Sequence, residues 1–324
     1  MSKDVNLLEL GAKRIIKQLV KVRRNENVLI ITDQEHQPLY EALSSVCMDV
    51  EASASVFVVP ENVRPLSHIP QPLKRAIFAS DVVLSILHKY PRETPFRAAI
   101  IQIARSSNAR VAHMPGLPLS VFDEGLFEVN YADVAANTLK LQNILNSVDE
   151  IRVTSAMGTD LLFKPSRIIK ANTGFAAEPG CVANLPGGEV YLQPDFNSMN
   201  GVLIVDGLID GGKPLSDPVT FEIEAGKVVD IHGSDIDFVK QAMAEDANVK
   251  FVSEFGIGTN PGLGFCSTAL LAEKAKGIVH FALGASSYFG GTVIAKRHIP
   301  LILKSANVTF DGRAVVEDGT YLVD

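Results

Sequence analysis

The sequence predicts an α/β protein in two parts. The first, residues 1–148, is a doubly wound, mostly parallel sheet; the second, 149–324, is a β-rich α+β domain. Three observations carry this. Helix-period and apolar strand-like stretches alternate through the first part in βα units of roughly 30 residues, the pattern of a parallel sheet covered by helices. After Val148 the alternation stops, glycine becomes frequent, and short strands bounded by turns dominate. The chain has 324 residues, 47% of them hydrophobic, which is enough for two cores rather than one.

Leu8, Ile15, Ile16, Leu19 and Val20 recur at helical spacing over Leu7 to Val22. "ENVLIITD" follows, a continuous apolar run suited to a strand buried on both faces. Leu39 to Met48 is helical, "ASVFVVP" a strand, "PLKRAIFAS" a helix, "DVVLSIL" a strand, "PFRAAIIQIARSS" a helix and "ARVAHMPG" a strand ending in a turn. "YADVAANTLKLQNILNSV" reads as a connecting helix. In the second part "EAGKVV" and "FDGRAVV" read as hairpin turns. "SDIDFVKQAMAED" is its one clear helix, with Ser234 as the expected N-cap.

The net charge of −7 argues against nucleic acid or an anionic membrane as a partner. Cys47, Cys181 and Cys266 are few and widely spaced, with no CxxC, as in a reducing compartment; Cys47 lies in an apolar helical pattern and reads as a buried thiol. The N-terminus carries no long apolar run and no segment reaches membrane-spanning length, so a cytoplasmic protein is expected.

Ionisable residues in apolar or glycine-rich surroundings gather in the second part. Glu189 follows a Pro-Gly-Gly turn and opens the run "EVYLQP". Glu254 ends an apolar strand ahead of an expected glycine loop, "GIGTNPGLG". Glu273 and His280 share "LLAEKAKGIVHFALG", and His298 lies in "VIAKRHIPLIL". Each has a plain alternative. A histidine among apolar strand residues is usually a packed side chain, and Glu273 with Lys274 looks like an exposed helix pair. Three carboxylates and two imidazoles together suit a divalent metal with mixed O/N ligands, such as zinc, cobalt or manganese. The glycine stretch is not a dinucleotide fingerprint, and neither a P-loop nor a GxSxG elbow occurs.

The stretches "GTDLLF", "EPGCVANLPGGEVYLQP", "NGVLIVDG", "EFGIGTNP", "EKAKGIVHFALGASSYFGG" and "VTFDGRAVVEDG" resemble the metal-dependent leucyl aminopeptidases of the aminopeptidase T type. The resemblance runs from Ile151 onward; the first half is similar only in its helix–strand rhythm. It implies a homodimer and a two-metal site with Glu189, Glu254, Glu273, His280 and His298 on ligand positions. It also places Tyr288 on a tyrosine that stabilises the reacting carbonyl. One departure stands out. Where the family has His-x-Asp, this chain has His298-Ile299-Pro300, and proline supplies no ligand. A related branch of the fold, the 2,5-dihydroxypyridine dioxygenases, uses that aspartate with two histidines to hold one iron.

Three functions follow as expectations. The first is an aminopeptidase-like hydrolase of short peptides or a related amide, with one or two ions activating water, Glu254 or Glu189 moving the proton and Tyr288 steadying the carbonyl. The second is a non-catalytic peptide-binding protein on a peptidase scaffold, favoured by Pro300. The third is a single-metal, iron-dependent ring-cleaving enzyme acting on a small molecule.

Overall fold

A computed structural model describes residues 6–125, 127–209, 214–266 and 268–323, so the first five residues of the N-terminal stretch read above lie outside it. It is a mixed α/β protein with one parallel sheet and two antiparallel sheets. The chain divides into two compact units. One comprises Met1–Tyr131 with Gly174–Gly187, the other Ala132–Thr173 with Gly188–Asp324. The division therefore falls at Tyr131, not near Val148, because the helix Tyr131–Leu145 buries Leu141 and Leu145 in the core of the second unit.

In the first unit five strands lie parallel in the order Ser53–Val58, Asn27–Thr32, Val82–Ile86, Arg110–His113, Val182–Asn184. The apolar runs are central strands: Val82–Ile86 is buried throughout, while the edge strand Ser53–Val58 is half-exposed. Helices Gln71–Phe78 and Thr94–Ser106 bury Leu73, Ile77, Phe96 and Ile100 against Leu29, Ile31, Val83 and Val111. Cys47 is buried in the helix Gln37–Asp49, and burial pushes its thiol up to about 12. At the carboxyl end of the Asn27–Thr32 strand, buried Asp33 meets His36 Nδ1 at 2.6 Å and Arg64 Nη1 at 3.1 Å, and it accepts the backbone N–H of His88 at 2.5 Å. Arg64 also pairs with Glu93 at 2.6 Å and Glu61 at 3.1 Å.

The second unit is two antiparallel sheets around one core. The eight-stranded sheet runs Lys227–His232, Val219–Glu224, Asn200–Val205, Asp160–Phe163, Ile151–Thr154, Asn307–Phe310, Arg313–Glu317, Thr320–Tyr321. The six-stranded sheet runs Leu208–Ile209, His298–Leu303, Val279–Gly284, Val252–Gly258, Glu189–Pro194, Pro165–Asn172. Phe163 of the first lies edge-on to Phe255 and Phe281 of the second, with ring centroids 5.2 and 6.2 Å apart. Both expected hairpins form, with Ala225-Gly226 and Asp311-Gly312 at positive φ in their turns. Ser234 is not the N-cap expected: the helix is Asp237–Glu245, it starts after Ile236, and no side chain caps it. No helix among the described residues is long and apolar enough to cross a membrane.

Candidate metal centre

Strand alternation gives the six-stranded sheet two different faces. Val190, Leu192, Phe255, Ile257, Val279, Phe281, Leu283, Ile299, Leu301 and Leu303 enter the core. The intervening residues form the other face, and the register sets them side by side. Gly258 lies opposite Glu189, Gly256 opposite both Tyr191 and His280, Ala282 opposite both Glu254 and Pro300, and Gly284 opposite His298.

The entry of Glu189 is fixed by Gly188. Its φ is +115°, its N–H donates to the Asn172 carbonyl at 2.7 Å, and its carbonyl accepts the Thr259 N–H at 2.8 Å. A β-carbon there would lie 2.5 Å from Asn260 Cβ. The expected glycine loop is different in kind: Gly256 and Gly258 belong to the strand Val252–Gly258, not to a loop. A β-carbon on Gly256 would lie 2.3 Å from the His280 ring, so its bareness makes room for the imidazole.

Ligand atoms of Glu189, Glu273 and His280 all lie within 4.8 Å of one another, and all three residues are buried. Glu254 joins them, its Oε1 3.5 Å from His280 Nε2, while Glu189 Oε2 is 3.7 Å from the same nitrogen. Tyr288 donates its hydroxyl to Glu254 Oε2 at 2.8 Å. His298 stands at the margin, half-buried, with Nδ1 3.2 Å from the Ala285 carbonyl and its ring 5.4 Å from that of Tyr288. Pro300 is on the same face, two residues from His298, where the aspartate of a His-x-Asp would point.

The plain alternative for Glu273, an exposed pair with Lys274, does not hold. Both are buried, Lys274 with none of its surface exposed, because the preceding short helix Ala269–Ala272 is itself wholly buried. The Lys274 ammonium sits 2.5 Å from Glu273 Oε1 and 3.1 Å from Glu189 Oε1. Asn172 adds a donor to Glu189 Oε1 at 3.2 Å. Gln193, on the face of Glu189 and Tyr191, accepts from Ser286 Oγ at 3.0 Å and from the Thr292 N–H at 2.7 Å. It thereby anchors both ends of the segment that carries Tyr288. Lys274, Asn172 and Gln193 are absent from the sequence reading. For Lys274 a signal exists, since it lies between the apolar runs "ALLA" and "GIVHFALG".

Burial pushes the Glu189 carboxyl up, against the pull of Lys274. Burial acts the same way on Glu254, but His298 and His280 outweigh it and hold that carboxyl below the usual range. Burial and the nearby carboxylates raise Tyr191 and Tyr288 well above the ordinary phenol value, so both stay protonated.

Among the described residues neither ring nitrogen of the buried His280 has a close hydrogen-bond partner, and Nε2 meets the Glu254 and Glu189 carboxylates only at 3.5 and 3.7 Å, which leaves the imidazole poorly satisfied. A divalent cation among Glu189, Glu273 and His280 would take one of those ring nitrogens as a ligand and offset two carboxylate charges. Two carboxylate oxygens and one imidazole are a donor set for zinc, manganese or ferrous iron. The residues present therefore fit a metal.

The family described as 2,5-dihydroxypyridine 5,6-dioxygenase (NicX) matches residues 129–323. A 2,5-dihydroxypyridine 5,6-dioxygenase of Pseudomonas putida KT2440 is 25% identical over 204 residues, 58% of this chain and 58% of that protein. Among solved structures, a 2,5-dihydroxypyridine dioxygenase from Pseudomonas putida KT2440 superposes with TM-score 0.80 at 19% identity, covering 98% of this chain and 97% of that one. Wild-type AmpT from Thermus thermophilus superposes with TM-score 0.73 at 16% identity, covering 98% and 99%. The two structures share the fold with this protein.

Proposed function

The chain belongs to the 2,5-dihydroxypyridine 5,6-dioxygenase family (NicX), and from that membership we propose that it is a single-metal enzyme that opens a hydroxylated pyridine-type ring with dioxygen. The observation that carries this reading is the convergence of Glu189, Glu273 and His280 within 4.8 Å, inside the matched region. These three would hold the ion. When bound as ferrous iron, it would supply the Lewis-acid and redox chemistry that ring opening needs.

The chain's own groups supply the rest. Glu254, ionised and 2.8 Å from the Tyr288 hydroxyl, is placed to take a proton from a substrate hydroxyl. Tyr288 stays protonated and donates to Glu254, or to a substrate oxygen that displaces it. Gln193 holds the Tyr288 segment in register.

A second reading, metal-dependent hydrolysis of a short peptide or amide, is favoured by the carboxylate-rich donor set, since Glu254 could equally deprotonate a water. The test is one preparation loaded separately with ferrous iron, zinc, cobalt and manganese. Oxygen uptake with 2,5-dihydroxypyridine under iron supports the first reading. Release of the anilide from leucyl anilide under zinc, cobalt or manganese supports the second. Failure to bind any of the four ions would remove both.

A further inference from the structure

Lys274 is an unusual neighbour for a metal centre. None of its surface is exposed, and its ammonium bridges Glu189 and Glu273, two of the three groups that would hold the ion. The main chain leaves it little freedom: its carbonyl accepts the Asn260 N–H at 2.9 Å, and Gly258 passes so close that a β-carbon there would lie 2.6 Å from the Lys274 carbonyl carbon. The ammonium meets Oε1 of each carboxylate, and Glu189 Oε2 lies on the His280 side.

Resting on the metal-enzyme reading above, we propose that Lys274 is a resident cation that occupies the place of a second ion and limits this centre to one divalent metal. The charge count supports it. Glu189, Glu254 and Glu273 bring three negative charges and Lys274 one positive, a balance that one divalent ion neutralises. A second ion would leave net positive charge in a buried site, which is strongly disfavoured. Metals that share bridging carboxylates sit about 3.5–4 Å apart, and the ammonium already stands between two of the carboxylates that could bridge. Pro300 acts in the same direction, because the aspartate it replaces would have offset more positive charge on this face.

The experiment is equilibrium dialysis of the full chain against zinc and, separately, manganese, with metal counted by elemental analysis. Thermal melts with and without metal accompany it. The wild-type chain should saturate at one ion. Lys274→Met should take up two, and its metal-free form should melt below wild type and regain more on metal addition. If Lys274→Met does not fold, Lys274→Gln, which keeps a donor for Glu273, carries the same expectation. A wild-type chain that saturates at two ions overturns the proposal and leaves the metal-enzyme reading standing. So does a folded Lys274 variant that still binds one ion with wild-type affinity. A wild-type chain that binds none overturns both.

Discussion

The Tyr288 hydroxyl donates to Glu254 Oε2 at 2.8 Å, joining the segment after the Val279–Gly284 strand to the middle of its neighbour. The pair sets a phenol held protonated beside a carboxylate held ionised. The phenol keeps its proton and donates a hydrogen bond, and the carboxylate is the member of the pair free to accept a proton.

Tyr288→Phe removes the donor and little else, since the ring contacts to Phe289 and His298 can persist. Turnover on whichever substrate the enzyme accepts should fall about 10²–10³-fold, within the usual range for a positioned proton donor. Metal content and melting temperature should stay close to wild type. Steady-state kinetics beside a thermal melt checks this, and equal loss of stability and activity would show the hydroxyl to be structural.

Gly256→Ala places a methyl 2.3 Å from the His280 ring. The ring must move or the strand must shift, at a cost of about 1–3 kcal/mol, and metal affinity should drop with it. Gly264→Ala is the control, because a β-carbon there meets nothing within 4 Å. Denaturant melts and metal binding on both variants give the comparison.

Pro300→Asp puts a carboxylate on the metal-facing side, opposite Ala282 and two residues from His298. Without metal this buried charge lacks a partner and should lower the melting temperature. With zinc or manganese the loss should be recovered, and the rise on metal addition should exceed that of wild type. A variant that melts identically with and without metal would mean that the Pro300 slot does not reach the ion.

Acid stability of the first unit rests on Asp33, whose carboxyl is drawn down to about 2: burial opposes the shift, but His36, the His88 N–H and Arg64 prevail. Its folded value is depressed, so the stability it contributes is present above the unfolded carboxylate value and is lost as pH falls through the folded one. The window is about pH 4 down to about pH 2, and the contribution at neutral pH is about 2 kcal/mol. Asp33→Asn should lose that amount at pH 7 and show a flatter decline across the same window, measured by urea melts at several pH values.

The parallel sheet is legible in the sequence because its central strands, such as Val28–Ile31 and Val82–Ile86, are buried on both faces and so read as unbroken apolar runs. Glu189, Glu254 and His280 stand out because they open, end and interrupt apolar runs respectively. Lys274 stands out less, since a lysine after a glutamate reads as an exposed pair and its place between two apolar runs is a weak signal until tertiary burial is seen. Gly256 and Gly258 read as a loop because glycine weakens strand propensity. In the sheet they are there for what their missing side chains admit, which no local pattern encodes. The Val182–Asn184 strand is illegible for another reason: it joins a sheet whose other members lie about 70 or more residues earlier in the chain.

That returning strand has a consequence for how the molecule is made and divided. The first unit lacks its fifth strand until the ribosome has passed Gly187, by which time the helix and three strands of the second unit have already been synthesised. Neither unit can then be obtained by a single cut. A fragment ending at Tyr131 would expose the Arg110–His113 strand as a bare sheet edge, and one beginning at Ala132 would carry fourteen residues whose strand has no sheet to enter. The unit that holds the candidate metal centre is thus not a cassette that recombination could lift out whole. Separate expression would need Gly174–Gly187 transplanted onto the end of the first unit and a short bridge closed from Thr173 to Gly188.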